Sequence, residues 1–254
     1  MRHHLTLRIG PATFRIGSAW PAPIDQLASL YAAYPQPADA IADFTVRLQP
    51  TSLVRRFIRP SIFITGDHGL ADAAPMSLSH GLLAAEMGMN LQMALGWRRH
   101  LLLHASSVEK DGRVLVMTGE SGSGKSTLAA LLGERGWRFM GDEFALLDLD
   151  SGAILPFPRL VSLKNRAIDV VAGQVGEGRM GPLLAATAKG DIRHMVPAMM
   201  RSRAWGRGRC PHCCFSPASA TPPMCVPLAR RKSSCASRKP RPIMSRWANP
   251  LSRR

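Results

Sequence analysis

Apolar and polar residues alternate along most of the first seventy positions, a pattern typical of strands that bury one face. Two such runs meet at Gly10 and Pro11, which predicts a hairpin. A later stretch has apolar residues at helical spacing and a proline in its first turn, which favours a helix. The predicted strands span 5–10, 12–17, 42–49, 53–58 and 61–66, and the predicted helix spans 23–34. Residues 1–78 are therefore predicted to form a β-rich N-terminal region.

From residue 79 onward, helical and strand patterns follow each other along the chain. A broad apolar face predicts a helix over 79–97, whose methionines we expect to fill the core. The other predicted elements are strands at 101–109, 113–119 and 137–143, a helix at 125–136, a hairpin over 144–158 and a further apolar stretch at 159–165. Up to about Val196, this succession predicts an α/β domain with a mixed sheet, and we assign residues 79–197 to it.

The last part of the chain has a different composition. Residues 198–254 contain 13 of the 33 Lys and Arg residues, no Asp or Glu, and 8 of the 20 prolines. The rest of the chain, with 20 basic and 17 acidic groups, is nearly neutral, so the pI of about 11.0 reflects this tail. A segment that lacks hydrophobic periodicity cannot bury a core, and we predict a disordered basic tail over 198–254.

Three interpretations of the tail remain open. It is a basic arm that binds nucleic acid, or the start of a zinc site at Cys210, Cys213 and Cys214, or the product of a frameshift in a GC-rich gene. All five cysteines lie in this segment, at 210, 213, 214, 225 and 235, and no second pair completes the usual zinc spacing. The acid-free composition favours the frameshift, and a nucleic-acid partner is not expected.

The sequence shows neither an apolar signal region near residue 1 nor a run of about 18 apolar residues. The cysteine-free body gives no sign of a disulfide framework. We therefore expect a cytoplasmic protein without a membrane partner.

A glycine-rich loop between a predicted strand and a predicted helix carries the most specific motif of the chain. It fits the pattern G-x-x-x-x-G-K-[ST] in full, which predicts a phosphate-binding P-loop within residues 113–143. The predicted nucleotide-binding residues are Gly119, Glu120, Ser121, Gly122, Ser123, Gly124, Lys125, Ser126 and Thr127.

Each residue type in this loop serves a different purpose in binding phosphate and metal. Glycines allow the tight turn that directs successive amides at phosphate oxygens, and the helix N-terminus adds the positive end of its dipole. Lys125 supplies a positive charge for the β- and γ-phosphates, and Ser126 offers a hydroxyl to Mg²⁺. The motif therefore predicts ATP and Mg²⁺ as ligands.

Three further polar residues accompany the loop. Asp142 and Glu143 follow a predicted strand 17 and 18 positions after Lys125, where P-loop folds hold the metal and position the nucleophile. Adjacent strand residues point to opposite faces, so we expect the two acids to have different duties. His104 is predicted midway along a strand and, taken alone, is more typical of a structural residue than of a functional one.

Taken together, these elements resemble the HPr kinase/phosphorylase family, and most of all its shorter bacterial relatives, the HPr kinase-related kinases. His104 lies 21 positions before Lys125, and the paired acids follow it at the family's intervals. The resemblance covers roughly residues 79–170 and implies a P-loop kinase domain of HPr-kinase type. This chain departs from the family pattern at Glu120 and Glu143, where the family has Asp.

The resemblance also implies roles for the site residues. Glu143 falls at the position of the catalytic acid/base that accepts a serine hydroxyl proton, and Asp142 lies beside it, near metal and phosphate. His104 and Lys125 complete the implied catalytic set, with Ser126 and Asp142 as metal ligands. The implied partner is a small protein, either HPr-like or similar to a peptide carrier, and the resemblance allows a homo-oligomer.

The function predicted from these features is an ATP-dependent serine kinase that transfers the γ-phosphoryl group to a small protein. Two alternatives remain open at this point. The chain is a non-catalytic ATP-binding regulator, or it is a P-loop NTPase whose basic tail binds nucleic acid. The position of His104 argues against the NTPase, because a generic P-loop ATPase needs no such residue.

Overall fold

The computed structural model of the protein describes residues 2–69 and 73–198 in full, and the backbone alone of residues 212–216. Within these ranges the fold is of the mixed α/β type, with parallel and antiparallel strand pairs in the same sheet. No helix in the described ranges is both long and apolar enough to cross a membrane.

A five-stranded sheet forms the N-terminal region, with its strands in sequence order. Its elements are β1 (His3–Ile9), β2 (Ala12–Ser18), α1 (Pro21–Leu30), β3 (Phe44–Pro50), β4 (Ser61–Gly66) and β5 (Met76–Ser77). The predicted hairpin of β1 and β2 is confirmed, and it turns at Gly10, whose φ of +52° suits glycine. Strand β3 runs parallel to β2 because α1 carries the chain back between them.

The next helix, α2 (Gly81–Gly96), packs on this same sheet. It buries Met89 and Met93, which confirms that these methionines fill the core, whereas Met87 is exposed. Gly88 lies where a side chain would collide with Val46, so the small residue allows close approach of the helix to β3. The core of the N-terminal sheet thus includes a helix from the region that begins at residue 79 in the sequence analysis.

The part of the chain from residue 101 onward contains, among its described residues, three smaller sheets and two α-helices. In order, its elements are β6 (Leu101–Leu103), β7 (Ser106–Lys110), β8 (Arg113–Met117), α3 (Lys125–Glu134), β9 (Arg138–Gly141), β10 (Ala145–Leu147), β11 (Ile154–Leu155), β12 (Val161–Lys164), α4 (Arg166–Val175), β13 (Met180–Thr187), β14 (Gly190–Met195) and β15 (His212–Ser216). The strand orders are β11-β10-β6, β12-β14-β13 and β15-β8-β7-β9. Helix α3 packs against β7, β9, β12 and α4, and their apolar faces form a second core.

Two strand predictions are wrong. Residues 53–58 form an exposed turn with a short 3₁₀ helix at Val54–Arg56, and their apolar residues do not alternate with polar ones as they do in a strand that buries one face. The predicted strand at 101–109 is broken at His104 and Ala105, where the chain passes from the sheet of β6 into the sheet of β7. His104 therefore lies between two strands, not midway along one.

The segment before β12 joins the two parts of the structure. Its Phe157 amide donates to the carbonyl of Met140, and Phe157 also bridges Gly141 at the end of β9. Gly10 of the N-terminal hairpin approaches the carbonyl of Pro156 so closely that a side chain there would overlap it. The N-terminal hairpin thus packs against the same segment that contacts the end of β9.

The predictions for the tail fall almost wholly outside the described residues. Only residue 198 and the backbone of His212–Ser216 are described, and this short strand pairs in parallel with β8. The five cysteine side chains and the basic residues of 201–254 are outside the described part.

Candidate functional site

The glycine-rich loop forms a tight turn directly before α3. Gly119, Gly122 and Gly124 have φ angles of 148°, 87° and 89°, which residues with side chains rarely adopt. Nothing lies within 4 Å of where a Cβ of Gly122 or Gly124 would be, so these glycines are required by conformation and not by lack of space. Helix α3 begins at Lys125, which brings the amides of its first turn to the mouth of the loop.

The Lys125 ammonium group folds back along the loop. Its Nζ donates to the carbonyl oxygens of Gly119 and Glu120, at 2.7 and 2.8 Å. These bonds place a positive charge over the same backbone whose amides the glycine conformations expose. The loop therefore combines main-chain donors, a helix N-terminus and a lysine charge, which together favour an anionic ligand.

Asp142 lies directly after β9 and is almost fully buried, with 3% of its surface exposed. Its Oδ1 accepts a 2.5 Å hydrogen bond from Ser106 Oγ and a 3.1 Å hydrogen bond from Ser126 Oγ. Burial raises the pKa of Asp142 above its ordinary value, and the charge of Glu143 acts in the same direction, while the two serine hydrogen bonds oppose them. The sequence-predicted metal ligands, Ser126 and Asp142, are thus in direct contact.

The second carboxylate oxygen of Asp142 supports the predicted Mg²⁺ role. Its Oδ2 is buried and has no hydrogen-bond partner among the described residues. A buried carboxylate oxygen without a donor is costly unless a cation or a proton binds it. Mg²⁺ in nucleotide sites needs only one or two protein ligands beside phosphate oxygens and water. Asp142 and Ser126 therefore fit a magnesium–nucleotide complex.

No group of three or more His, Cys, Asp or Glu side chains in the described ranges is arranged to hold a metal by itself. The zinc site considered at Cys210, Cys213 and Cys214 lies outside the described side chains.

Glu143 faces a different environment from its neighbour. Its backbone is left-handed, with φ of +72°, and this turn separates its side chain from that of Asp142. Glu143 Oε2 lies 3.5 Å from His104 Nε2, and both side chains reach solvent, the histidine being 64% exposed. Asp142 is therefore buried against Ser126, whereas Glu143 is accessible to solvent beside His104. This difference in environment is compatible with different roles for the two acids.

The structure brings four of the predicted site residues into two adjoining pairs. Ser126 with Asp142, and His104 with Glu143, form the pairs, and the two acids are consecutive. Glu120, Ser121 and Ser123 are exposed on the loop, and Thr127 is half-buried in the first turn of α3. No hydrogen bond among the described groups links Thr127 to the acids.

Ser106 is a site residue that the sequence analysis missed. Its hydroxyl is buried and donates to Asp142, although it belongs to β7 and lies 36 residues away in the chain. The available signal was its place two residues after His104 on the strand that precedes the P-loop strand. Nothing else in the sequence around Ser106 and Ser107 indicates that Ser106 has a buried hydrogen-bond partner.

A buried polar cluster behind the site was also missed. Arg159 pairs with Glu86 of α2, and Tyr31 donates a 2.8 Å hydrogen bond to the same glutamate. Tyr34 donates at 2.7 Å to the carbonyl of Pro158. The cluster fixes the segment before β12 against the N-terminal helices, and its sequence signal is the pair of polar residues Glu86 and Asn90, one turn apart in the apolar helix α2.

His194 of β14 lies near this cluster. Burial lowers the pKa of His194, so the neutral imidazole is favoured. Its Nδ1 is buried without a hydrogen-bond partner among the described residues. A neutral, buried histidine adds no charge to the ion pair of Glu86 and Arg159, and we assign it a packing role.

No family model matches the sequence, and neither a curated protein nor a solved structure matches it at a significant level.

Proposed function

We propose that the protein is an ATP-dependent serine kinase related to the HPr kinases, which transfers the γ-phosphoryl group of ATP to a serine of a small protein. The observation that carries this proposal is the 3.1 Å hydrogen bond between Ser126 of the glycine-rich loop and the buried Asp142. It joins the phosphate-binding element to the acidic pair, which is the combination that phosphoryl transfer requires.

Nucleotide binding is assigned to the loop and its lysine. The glycine conformations and the N-terminus of α3 supply amide donors for phosphate oxygens, and Lys125 adds charge that neutralises the β- and γ-phosphates. Bound Mg²⁺ would neutralise charge on the phosphates, with Asp142 and Ser126 as its protein ligands.

The transfer step is assigned to Glu143. In the proposed reaction the substrate serine oxygen bonds to the γ-phosphorus, the bond to the β–γ bridging oxygen breaks, and ADP leaves. The hydroxyl proton passes to the Glu143 carboxylate, which is accessible to solvent and therefore to a protein substrate. His104 lies within 3.5 Å of that carboxylate and orients it.

Nucleotide binding is tested by calorimetry with Mg–ATP on the full chain. We expect Lys125→Ala to lose binding, whereas Lys189→Ala, which removes an exposed lysine from the turn between β13 and β14, retains it. Equal affinity of Lys125→Ala and the unmodified protein would exclude the loop as the phosphate site.

Catalysis is tested by transfer of label from γ-labelled ATP to purified HPr-like and peptide-carrier-like proteins. We expect serine labelling by the unmodified protein and a loss of at least about a hundredfold with Glu143→Gln, the usual range for a lost general base. Tight Mg–ATP binding without labelling of either protein class and without ATP turnover would favour the non-catalytic regulator instead.

A further inference from the structure

The turn between β3 and β4 displays an apolar and basic surface that the proposed kinase chemistry does not use. We name residues 51–60 the β3–β4 tip. Its exposed apolar side chains are Leu53 (83%), Val54 (63%), Phe57 (75%) and Ile58 (66%). Single exposed apolar residues are ordinary on protein surfaces, but a contiguous group of this kind marks a contact surface for another molecule.

The backbone of the tip is held in a defined turn. The amides of Phe57 and Ile58 both donate to the carbonyl of Val54, at 3.1 and 2.9 Å. Trp20, which is buried beside α1, donates from Nε1 to the carbonyl of Arg56 at 2.9 Å. These bonds are made to backbone carbonyls, and eight of the ten tip residues are exposed, so the apolar side chains project from the end of the β3–β4 hairpin.

All charged side chains of the tip are basic. Residues 44–66 contain the four arginines 47, 55, 56 and 59 and no acidic residue. The flanking acids, Asp43 and Asp67, lie at the opposite end of the β3–β4 hairpin, where they accept hydrogen bonds from Thr13 and Thr45. Three of these arginines, 55, 56 and 59, lie in the tip itself, and Arg47 lies in β3 opposite Thr65.

A cavity of about 390 Å³ adjoins the tip and adds a second basic feature. Its lining consists of Arg2 and Arg56, together with Ala19, Gln49 and Pro50. Guanidinium groups bind phosphate oxygens through paired hydrogen bonds, so a phosphate-sized anion matches the chemistry of this cavity.

We propose that the β3–β4 tip docks on an anionic membrane surface. The four apolar side chains enter the boundary between headgroups and acyl chains, and the arginines bind lipid phosphates. A lipid surface accepts a convex apolar protrusion without a matching groove, and each arginine near an anionic leaflet adds attraction. This contact needs no spanning segment, so it departs from the expectation of no membrane partner, which rested on the lack of a long apolar run, and it does not rest on the kinase proposal.

The first test measures amide hydrogen exchange of the full chain with vesicles. Position-resolved exchange is needed because the 13 basic residues of 198–254 are themselves attracted to anionic lipid. We expect vesicles of phosphatidylcholine mixed with phosphatidylglycerol to slow exchange in residues 52–59, and vesicles of phosphatidylcholine alone to leave it unchanged.

The second test uses matched variants in vesicle co-sedimentation. The double substitution Phe57→Ser and Ile58→Ser should weaken the partition onto mixed vesicles about tenfold or more, because two apolar insertions are lost. Ile41→Ser removes an equally apolar residue, 93% exposed but placed between Asp39 and Asp43, and should change nothing. Arg55→Gln with Arg59→Gln should weaken partition more than Arg8→Gln with Arg15→Gln, which removes the same charge from β1 and β2.

Three results would overturn the proposal. Protection confined to 198–254, with the tip unchanged, would assign all lipid binding to the tail. Equal protection of the tip by poly-glutamate would assign it to an acidic protein partner. Protection that rises with protein concentration in the absence of vesicles would assign it to a second copy of the chain.

Discussion

The guanidinium group of Arg159 forms a buried ion pair with the carboxylate of Glu86, 73 residues earlier in the chain. Arg159 also donates at 2.8 Å to the backbone carbonyl of Glu86. Burial by itself would lower the pKa of Arg159, but the charge of Glu86, together with Tyr31 and the hydrogen bonds to both residues, outweighs it, and the pKa is raised. The pair ties α2 to the segment that contacts the end of β9, and so connects the N-terminal sheet to the candidate site.

Replacing Arg159 by Met should destabilise the fold by about 3–5 kcal/mol, because Glu86 is left buried without its partner charge. Urea unfolding followed by circular dichroism measures this change. Arg99→Gln provides the matched control, since its ion pair with Asp43 is on the surface and should cost less than about 1 kcal/mol. Similar losses for both variants would contradict a special structural role for the buried pair.

Asp142→Asn should stabilise the ligand-free protein at neutral pH while weakening Mg–ATP binding. The ionised carboxylate is buried with one oxygen unpartnered, and the neutral amide costs less to bury, by about 1–3 kcal/mol. Thermal unfolding with and without Mg–ATP measures both effects. The control Asp169→Asn removes a charge at the exposed start of α4, where no gain is expected.

The gain from Asp142→Asn should also depend on pH. Because the folded-state pKa of Asp142 is raised above its ordinary value of 3.8, its contribution to stability is full below that value and is lost as pH rises through the raised pKa. The difference in unfolding free energy between variant and unmodified protein should therefore grow from acid to neutral pH. A difference that is independent of pH would mean that Asp142 titrates normally.

Ser106→Ala should shift the acid limb of Mg–ATP binding toward higher pH. Mg²⁺ binds the ionised form of Asp142, so affinity falls as pH drops through its pKa. The Ser106 hydrogen bond stabilises that ionised form, and its removal raises the pKa further. Calorimetric titrations across acid pH measure the shift. Ser162→Ala is the control. It removes a serine hydroxyl from β12, outside the candidate site, and should leave the pH dependence of Mg–ATP binding unchanged.

Glu143→Gly should be more stable than Glu143→Ala by about 1 kcal/mol, because residue 143 has a left-handed φ of +72°. Both variants lack the carboxylate, so the comparison isolates the backbone conformation. Chemical unfolding measures the difference. Equal stability of the two variants would show that the left-handed conformation carries no strain, and labelling of a substrate protein should be lost in both.

Local sequence patterns predicted the hairpin of β1 and β2, helices α1 to α3 and the loop at 119–126, because propensity, glycine placement and hydrophobic period act over a few residues. Residues 53–58 were predicted to form a strand because the segment is rich in apolar residues. These residues are instead exposed on the surface, where no described strand covers them. His104 was placed within a strand because no glycine, proline or other turn signal separates Leu101–Leu103 from Ser106–Lys110.

The sequence alone determined the glycine-rich loop, its lysine and serine, and the two acids that follow at fixed intervals, since each depends on residue type and spacing along one stretch of chain. Only the tertiary structure decided that Asp142 is the acid buried against Ser126, that Ser106 also donates to Asp142, and that Glu86 pairs with Arg159. These relationships join residues 16 to 73 positions apart. Such pairings arise from the packing of sheets and helices, because burial and charge contact depend on distances that no local pattern encodes.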